Sequence, residues 1–193
     1  MSVFSLYIKL GFNHIVDYNA FDHILFIVVL TAVYLLSDWK RVLLLITSFT
    51  IGHTTTLALS TLNIISISSS LVEFLIPVTI FITAVGNLLQ RSNGFSHQQY
   101  KIKYIIALFF GLIHGLGFSN YLKVLLGSEK GIVKPLFAFN LGLELGQVII
   151  VLCILFVATI VVSKFRIKQR SWELVLSGAG LGVALMLMIE RFV

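Results

Sequence analysis

The sequence predicts an all-α polytopic membrane helix bundle of about six transmembrane helices with an N-terminal interfacial helix. Three observations carry this expectation. Of the 193 residues, 58% are hydrophobic and 11% charged, against roughly 25% charged in an ordinary soluble domain. Mean hydropathy is +1.02, more apolar surface than a soluble fold of this length can hide. The charges are gathered into short stretches separated by apolar runs of about 20 residues, the length that crosses a hydrocarbon core.

The N-terminal segment, 1–19, has no basic stretch and no small-residue cleavage site before the first long apolar run, so no cleaved signal peptide is expected. Phe4, Tyr7, Ile8, Gly11 and Ile15 recur at helical spacing, which predicts a short helix lying in the membrane interface. The first span is expected from Ala20 to Trp39, opening with Asp22 and His23. The second, Val42 to Thr61, carries His53, Thr56 and Ser60 at i, i+3, i+7. The third, Leu71 to Gln90, contains Pro77, whose missing N–H leaves the carbonyl of Glu73 without its helical donor. His114 lies in the fourth, Tyr104 to Leu126, between Gly111 and Gly115. The fifth, Pro135 to Ser163, presents Asn140, Glu144 and Gln147 as a polar stripe with Gly142 beside it. In the sixth, Trp172 to Ile189, Gly178, Gly180 and Gly182 read as a packing surface. The short connections make 1–193 a single transmembrane domain.

The net charge of +6 is topological rather than a nucleic-acid footprint, because the cations lie between apolar runs and not on one amphipathic face. The first, third and fifth loops hold nine of them (Lys40, Arg41, Arg91, Lys101, Lys103, Lys164, Arg166, Lys168, Arg170), against five opposite (Lys9, Lys123, Lys130, Lys134, Arg191). By the positive-inside rule both termini are expected outside the cytoplasm. Cys153 is the single cysteine, which excludes a disulfide framework or a cysteine metal cluster within the chain.

Ionisable residues inside spans are costly and usually serve a pathway or a ligand. His53, His114 and Glu144 come out roughly 14–16 Å from the ends of their spans at about 1.5 Å per residue, so they are expected to meet near the midplane. Asp22 and His23 enter from the outer side, nearer the mouth. Imidazole and carboxylate without thiolate suit nickel, cobalt, zinc, iron or manganese better than copper(I). Structural readings stand beside these: the histidines as cross-helix hydrogen-bonding groups, Asp22 as a helix N-cap, and Glu144 as a protonated partner of Asn140 or Gln147.

The fragments GFNHIVDYNAFDHILF, FTIGHTTTLAL, VEFLIPVTIFITAVGN, FGLIHGLGF and FNLGLELGQ, in this order over nearly the whole chain, resemble the HupE/UreJ family of bacterial membrane proteins. The resemblance implies a bacterial inner-membrane nickel or cobalt permease associated with hydrogenase and urease, and a metal-binding histidine followed by Asp-His, which maps onto His14, Asp22 and His23. Here seven residues separate His14 from Asp22, and Ala20 stands near the place of the family's usual glycine.

The expected function is thus a permease for a divalent transition metal, with His14, Asp22, His23, His53, His114 and Glu144 as its ligands. The alternative is an intramembrane zinc hydrolase using the same residues, with Glu144 or Asp22 as base. The expected partners are the lipid bilayer and the metal ion, with a homo-oligomer or a partner subunit left open and no nucleic acid. No GxxxxGK[ST] motif is present, so energy is expected from a gradient or from another subunit.

Overall fold

The computed structural model describes residues 2–17, 21–90, 97–126 and 131–192. The start of the expected first span at Ala20 and the first part of the polar loop after Gln90, residues 91–96, lie outside them. Among the described residues the regular structure is helical throughout: α1 Val3–Val16, α2 Phe21–Thr31, α3 Trp39–Thr61, α4 Ser69–Leu89, α5 His97–Gly117, α6 Ser119–Leu126, α7 Val133–Ser163 and α8 Gln169–Phe192. A 3₁₀ turn, Leu36–Asp38, leads into α3. Five helical segments are long and apolar enough to cross a membrane, and α1 with α2, bent by 68°, make a sixth if read as one broken span.

Two expected spans are therefore divided. The run from Ala20 to Trp39 stops being helical after Thr31, and α2 with 11 residues covers only about 16 Å. Irregular backbone at membrane depth persists only where its polar groups are satisfied by protein. That condition is met here by three distant side chains. Asn87 Nδ2 donates to the carbonyl of Val29 at 2.8 Å, Gln169 Nε2 donates to that of Val33 at 2.8 Å, and Thr159 Oγ1 accepts from the Leu36 N–H at 3.0 Å. The second division is at Gly117 and Phe118, where α5 gives way to the short α6.

Glycines fix the closest helix pairs. A Cβ on Gly52 would overlap the carbonyl oxygen of Leu108, one on Gly111 that of Phe49, and one on Gly115 that of His53. α3 and α5 thus meet backbone to backbone, the approach that small residues permit in membranes. The same device joins α1 to α7, through Gly11 against Phe139 and Gly142 against Ile8. α1 accordingly turns its Tyr7, Gly11 and Ile15 face to α7, where all three are buried. α8 lies along α4. Gly180 packs against Val29, whereas Gly178 and Gly182 face open space.

Candidate metal centre

Four histidines converge where α1, α2, α3 and α5 come together. His14 lies in the last turn of α1 and His23 in the first turn of α2, while the glycine contacts above hold the backbones of α3 and α5 together around His53. His14, His23 and His53 each offer a ring nitrogen within 4.8 Å of the others. The ring centroids stand 4.7 Å apart for His14 and His23, 6.3 Å for His14 and His53, and 5.2 Å for His23 and His114. Residues 53 and 114 are fully buried and His23 nearly so. Phe26, Phe49, Phe118 and Phe139 pack around these rings, forming an apolar wall that excludes water and strengthens electrostatic interactions inside.

Hydrogen bonding fixes which nitrogens can ligate. Asp22 Oδ1 lies 3.0 Å from His23 Nδ1. An ionised carboxylate only accepts, so Nδ1 carries the proton and Nε2 the lone pair. The Thr79 hydroxyl donates to the carbonyl of Ile76 at 2.7 Å and lies 3.0 Å from His114 Nε2. Its one proton being spent, Thr79 accepts from Nε2–H, which leaves the lone pair of His114 on Nδ1. His14 Nε2, His23 Nε2 and His114 Nδ1 are buried without a hydrogen-bond partner. Neither nitrogen of His53 meets hydrogen-bond geometry, although the Asn140 amide is its polar neighbour. Buried polar atoms are ordinarily satisfied. So many unspent imidazole nitrogens at one point have the chemistry of a ligand set.

A cavity of about 600 Å³, lined by Leu10, Asn13, His14, Val16, Asp17, Phe118 and Tyr121, reaches this group from the surface at His14. His14 therefore stands between the opening and the buried rings.

The sequence placed Asp22 among the direct ligands, and the geometry gives it a different task. Adjacent to His23 on the first turn of α2, its side chain folds back onto its neighbour, accepting from the backbone N–H of His23 at 2.9 Å as well as from the ring. Its other oxygen accepts from Arg191 Nη2 at 3.2 Å. Asp22 thus orients His23, the arrangement of a carboxylate behind a ligating histidine.

Glu144 is not brought to the histidines. Its carboxylate accepts from Thr47 Oγ1 at 2.7 Å and lines a separate groove between α3 and α7 that contains no histidine. The reason lies in how the α7 stripe is satisfied. Thr47, Thr50 and Thr54 of α3 meet Glu144, Gln147 and Asn140 in three cross-helix hydrogen bonds, which hold Glu144 against the threonine face rather than the His53 face.

Two positioning residues were not anticipated. Thr79 sets the tautomer of His114. Arg191 ties the end of α8 to the site, donating at once to Asp22 and, at 2.9 Å, to the carbonyl of Glu73. That carbonyl is the one deprived of its donor by Pro77, which was the available signal for such a contact. The side chain of Glu73 itself is exposed.

A family model described as HupE / UreJ protein matches residues 1–191. No curated protein and no solved structure matches the chain. With a match over nearly its whole length and five to six apolar spans, the chain belongs to the HupE/UreJ family and is a multi-pass membrane protein.

Proposed function

We propose that this protein is a permease that carries a divalent transition metal, nickel or cobalt, across the bacterial inner membrane. One observation carries the reading: His14, His23 and His53, from three helices, bring ligand atoms within 4.8 Å of one another beside a cavity open to the surface. The association of the HupE/UreJ family with nickel and cobalt supports the choice of cargo. Neutral imidazoles without thiolate suit these ions and zinc better than copper(I).

The order of the rings supports passage rather than permanent storage. From the cavity the metal meets His14 first. His23 is shared, 4.7 Å from His14 on one side and 5.2 Å from His114 on the other. Exchange of one imidazole for the next moves the ion inward without ever leaving it bare, and conduction requires sites that release as well as bind. With both termini outside the cytoplasm, as the nine-to-five cation count implies, the cavity beside His14 opens to the exterior.

The hydrolase alternative needs a carboxylate free to act as base toward a metal-bound water. Asp22 is committed to His23 and Arg191, and Glu144 lines another groove, so neither supports it. The deciding experiment is nickel uptake into proteoliposomes by the wild type and by His14→Ala, His23→Ala and His53→Ala. Uptake by the wild type, lost in each variant despite normal insertion, is the expected result; uptake that survives His53→Ala would sink the reading.

A further inference from the structure

α4 packs mainly on α8 and α5 mainly on α3, so the faces that α4 and α5 turn to each other are only partly joined. Between them lies a groove of about 370 Å³ that shares no residue with the cavity at His14. Its walls change character along their length: Gln90, Gln99 and Lys103 line one end, and Ile82, Ile106 and Phe110 line the other. The groove follows α5 for roughly 16 Å from Gln99 to Phe110 and α4 for roughly 12 Å from Gln90 to Ile82, about half of a hydrocarbon layer of about 30 Å. It therefore spans one leaflet. The polar end lies on the side that holds the majority of the loop cations, Lys103 among them. An anion there would ordinarily be repelled by the carbonyl end of α4. Arg170 covers that end, donating from Nη1 to the carbonyl of Asn87 at 2.8 Å and from Nη2 to that of Leu88 at 2.6 Å, while Glu173 is ion-paired to Arg170. Between the two ends the groove stays open, because Gly86 lines it and a Cβ there would meet nothing within 4 Å.

We propose that this groove binds an anionic phospholipid, with the phosphate at Lys103 and Gln99 and an acyl chain running inward past Gly86 to Phe110. The occupant has to be charged at one end and oily at the other. A free anion would leave the apolar end of the groove unfilled, and a neutral lipid would gain nothing from the lysine. Basic pockets between spans on the cytoplasmic side favour anionic headgroups for this reason, and the nine-to-five cation count puts Lys103 on that side. A lysine suits the position, because its methylenes lie along the apolar wall while the ammonium stays at headgroup level. The lipid also touches the helix break that the fold has to support. Asn87 lines the groove and donates to the carbonyl of Val29 in α2, so an occupied groove braces the span that carries His23. The site does not rest on the permease reading.

The test is native mass spectrometry of the full chain in detergent micelles, titrated with phosphatidylglycerol or with phosphatidylcholine of the same acyl chains, with thermal unfolding recorded alongside. The wild type should retain one phosphatidylglycerol in preference to phosphatidylcholine and unfold at a higher temperature with it. Lys103→Gln should weaken phosphatidylglycerol binding about fivefold, the worth of one basic residue near an anionic surface, and leave phosphatidylcholine unaffected. Gly86→Leu fills the groove and should remove the adduct without lowering the unfolding temperature of the lipid-free protein. Gly182→Leu, on α8 outside the groove and equally unopposed, should keep it. Equal retention of the two lipids by the wild type, or phosphatidylglycerol binding unchanged in Lys103→Gln, would overturn the proposal whatever the fate of Gly86→Leu. Loss of the adduct in Gly182→Leu as well would make it part of a general lipid shell. Glycerol phosphate, the headgroup without chains, should not raise the unfolding temperature; a rise equal to that with phosphatidylglycerol would reduce the site to a simple anion site and refute the lipid.

Discussion

Replacing Asp22 with alanine separates a positioning role from direct ligation, and its effect can be worked from the contacts. The carboxylate accepts from His23 Nδ1 at 3.0 Å and so holds the lone pair of Nε2 toward His14 and His53. Loss of such a partner behind a ligating histidine costs about 10–100-fold in metal affinity, or about 1.4–2.8 kcal/mol. Arg191 loses its carboxylate at the same time. The pair is 24% and 10% exposed at its side chains, so a further cost of about 1.5–3 kcal/mol in stability is expected, the range for a hydrogen bond to a charged group. Asp22→Asn keeps an acceptor for Nδ1–H and should stay near the tenfold end. The assay is competition for nickel against a fluorescent chelator on purified protein, with thermal unfolding of the apo form recorded alongside. Complete loss of binding in Asp22→Ala, equal to that in His53→Ala, would make Asp22 a ligand and refute the reasoning; wild-type affinity would refute it from the other side.

Gly115→Ala puts a methyl group onto the carbonyl oxygen of His53, a backbone atom that cannot yield; a loss of about 1–3 kcal/mol with weakened nickel binding is expected, measured against Gly182→Ala, whose Cβ meets nothing and which should be neutral in the same unfolding assay. Nickel affinity should fall as pH is lowered, because imidazoles must be neutral to ligate and protons then compete with the metal; affinity rising toward acid would point to carboxylate ligands. Single cysteines at Ser68 and Lys168 in a Cys153→Ala background should react with an impermeant thiol reagent from opposite sides, Ser68 from outside, and labelling of both from one side would contradict the cation asymmetry.

The sequence made the apolar runs legible because hydropathy is a local property, and the small residues at Gly111, Gly115 and Gly142 marked the close helix contacts correctly. The breaks were hidden for the opposite reason. No charged residue lies between His23 and Asp38 to announce that α2 ends at Thr31, since the groups that make the break tolerable are Asn87, Thr159 and Gln169, far away in the chain. His23, His53 and His114 could be named from the cost of ionisable groups inside spans, and His14 from the family resemblance, whereas the tautomers of His23 and His114 depend on Asp22 and Thr79 and emerge only from the packing. For Glu144 the stripe was visible but its partner was not. Thr47, Thr50 and Thr54 also repeat at i, i+3, i+7, and they bond to Glu144, Gln147 and Asn140 respectively. That second stripe competes with His53, Thr56 and Ser60 for the same neighbour, and only the rotation of α3 decides between them.

The most direct test of the central claim is X-ray absorption at the metal edge of nickel-loaded protein, comparing the wild type with His53→Ala. The structure predicts a shell of about three imidazole nitrogens at roughly 2.0–2.1 Å, distances typical of histidine ligation, without sulfur, and one imidazole fewer in the variant. A sulfur or all-oxygen shell, or an imidazole count unchanged by His53→Ala, would contradict a metal centre built from His14, His23 and His53.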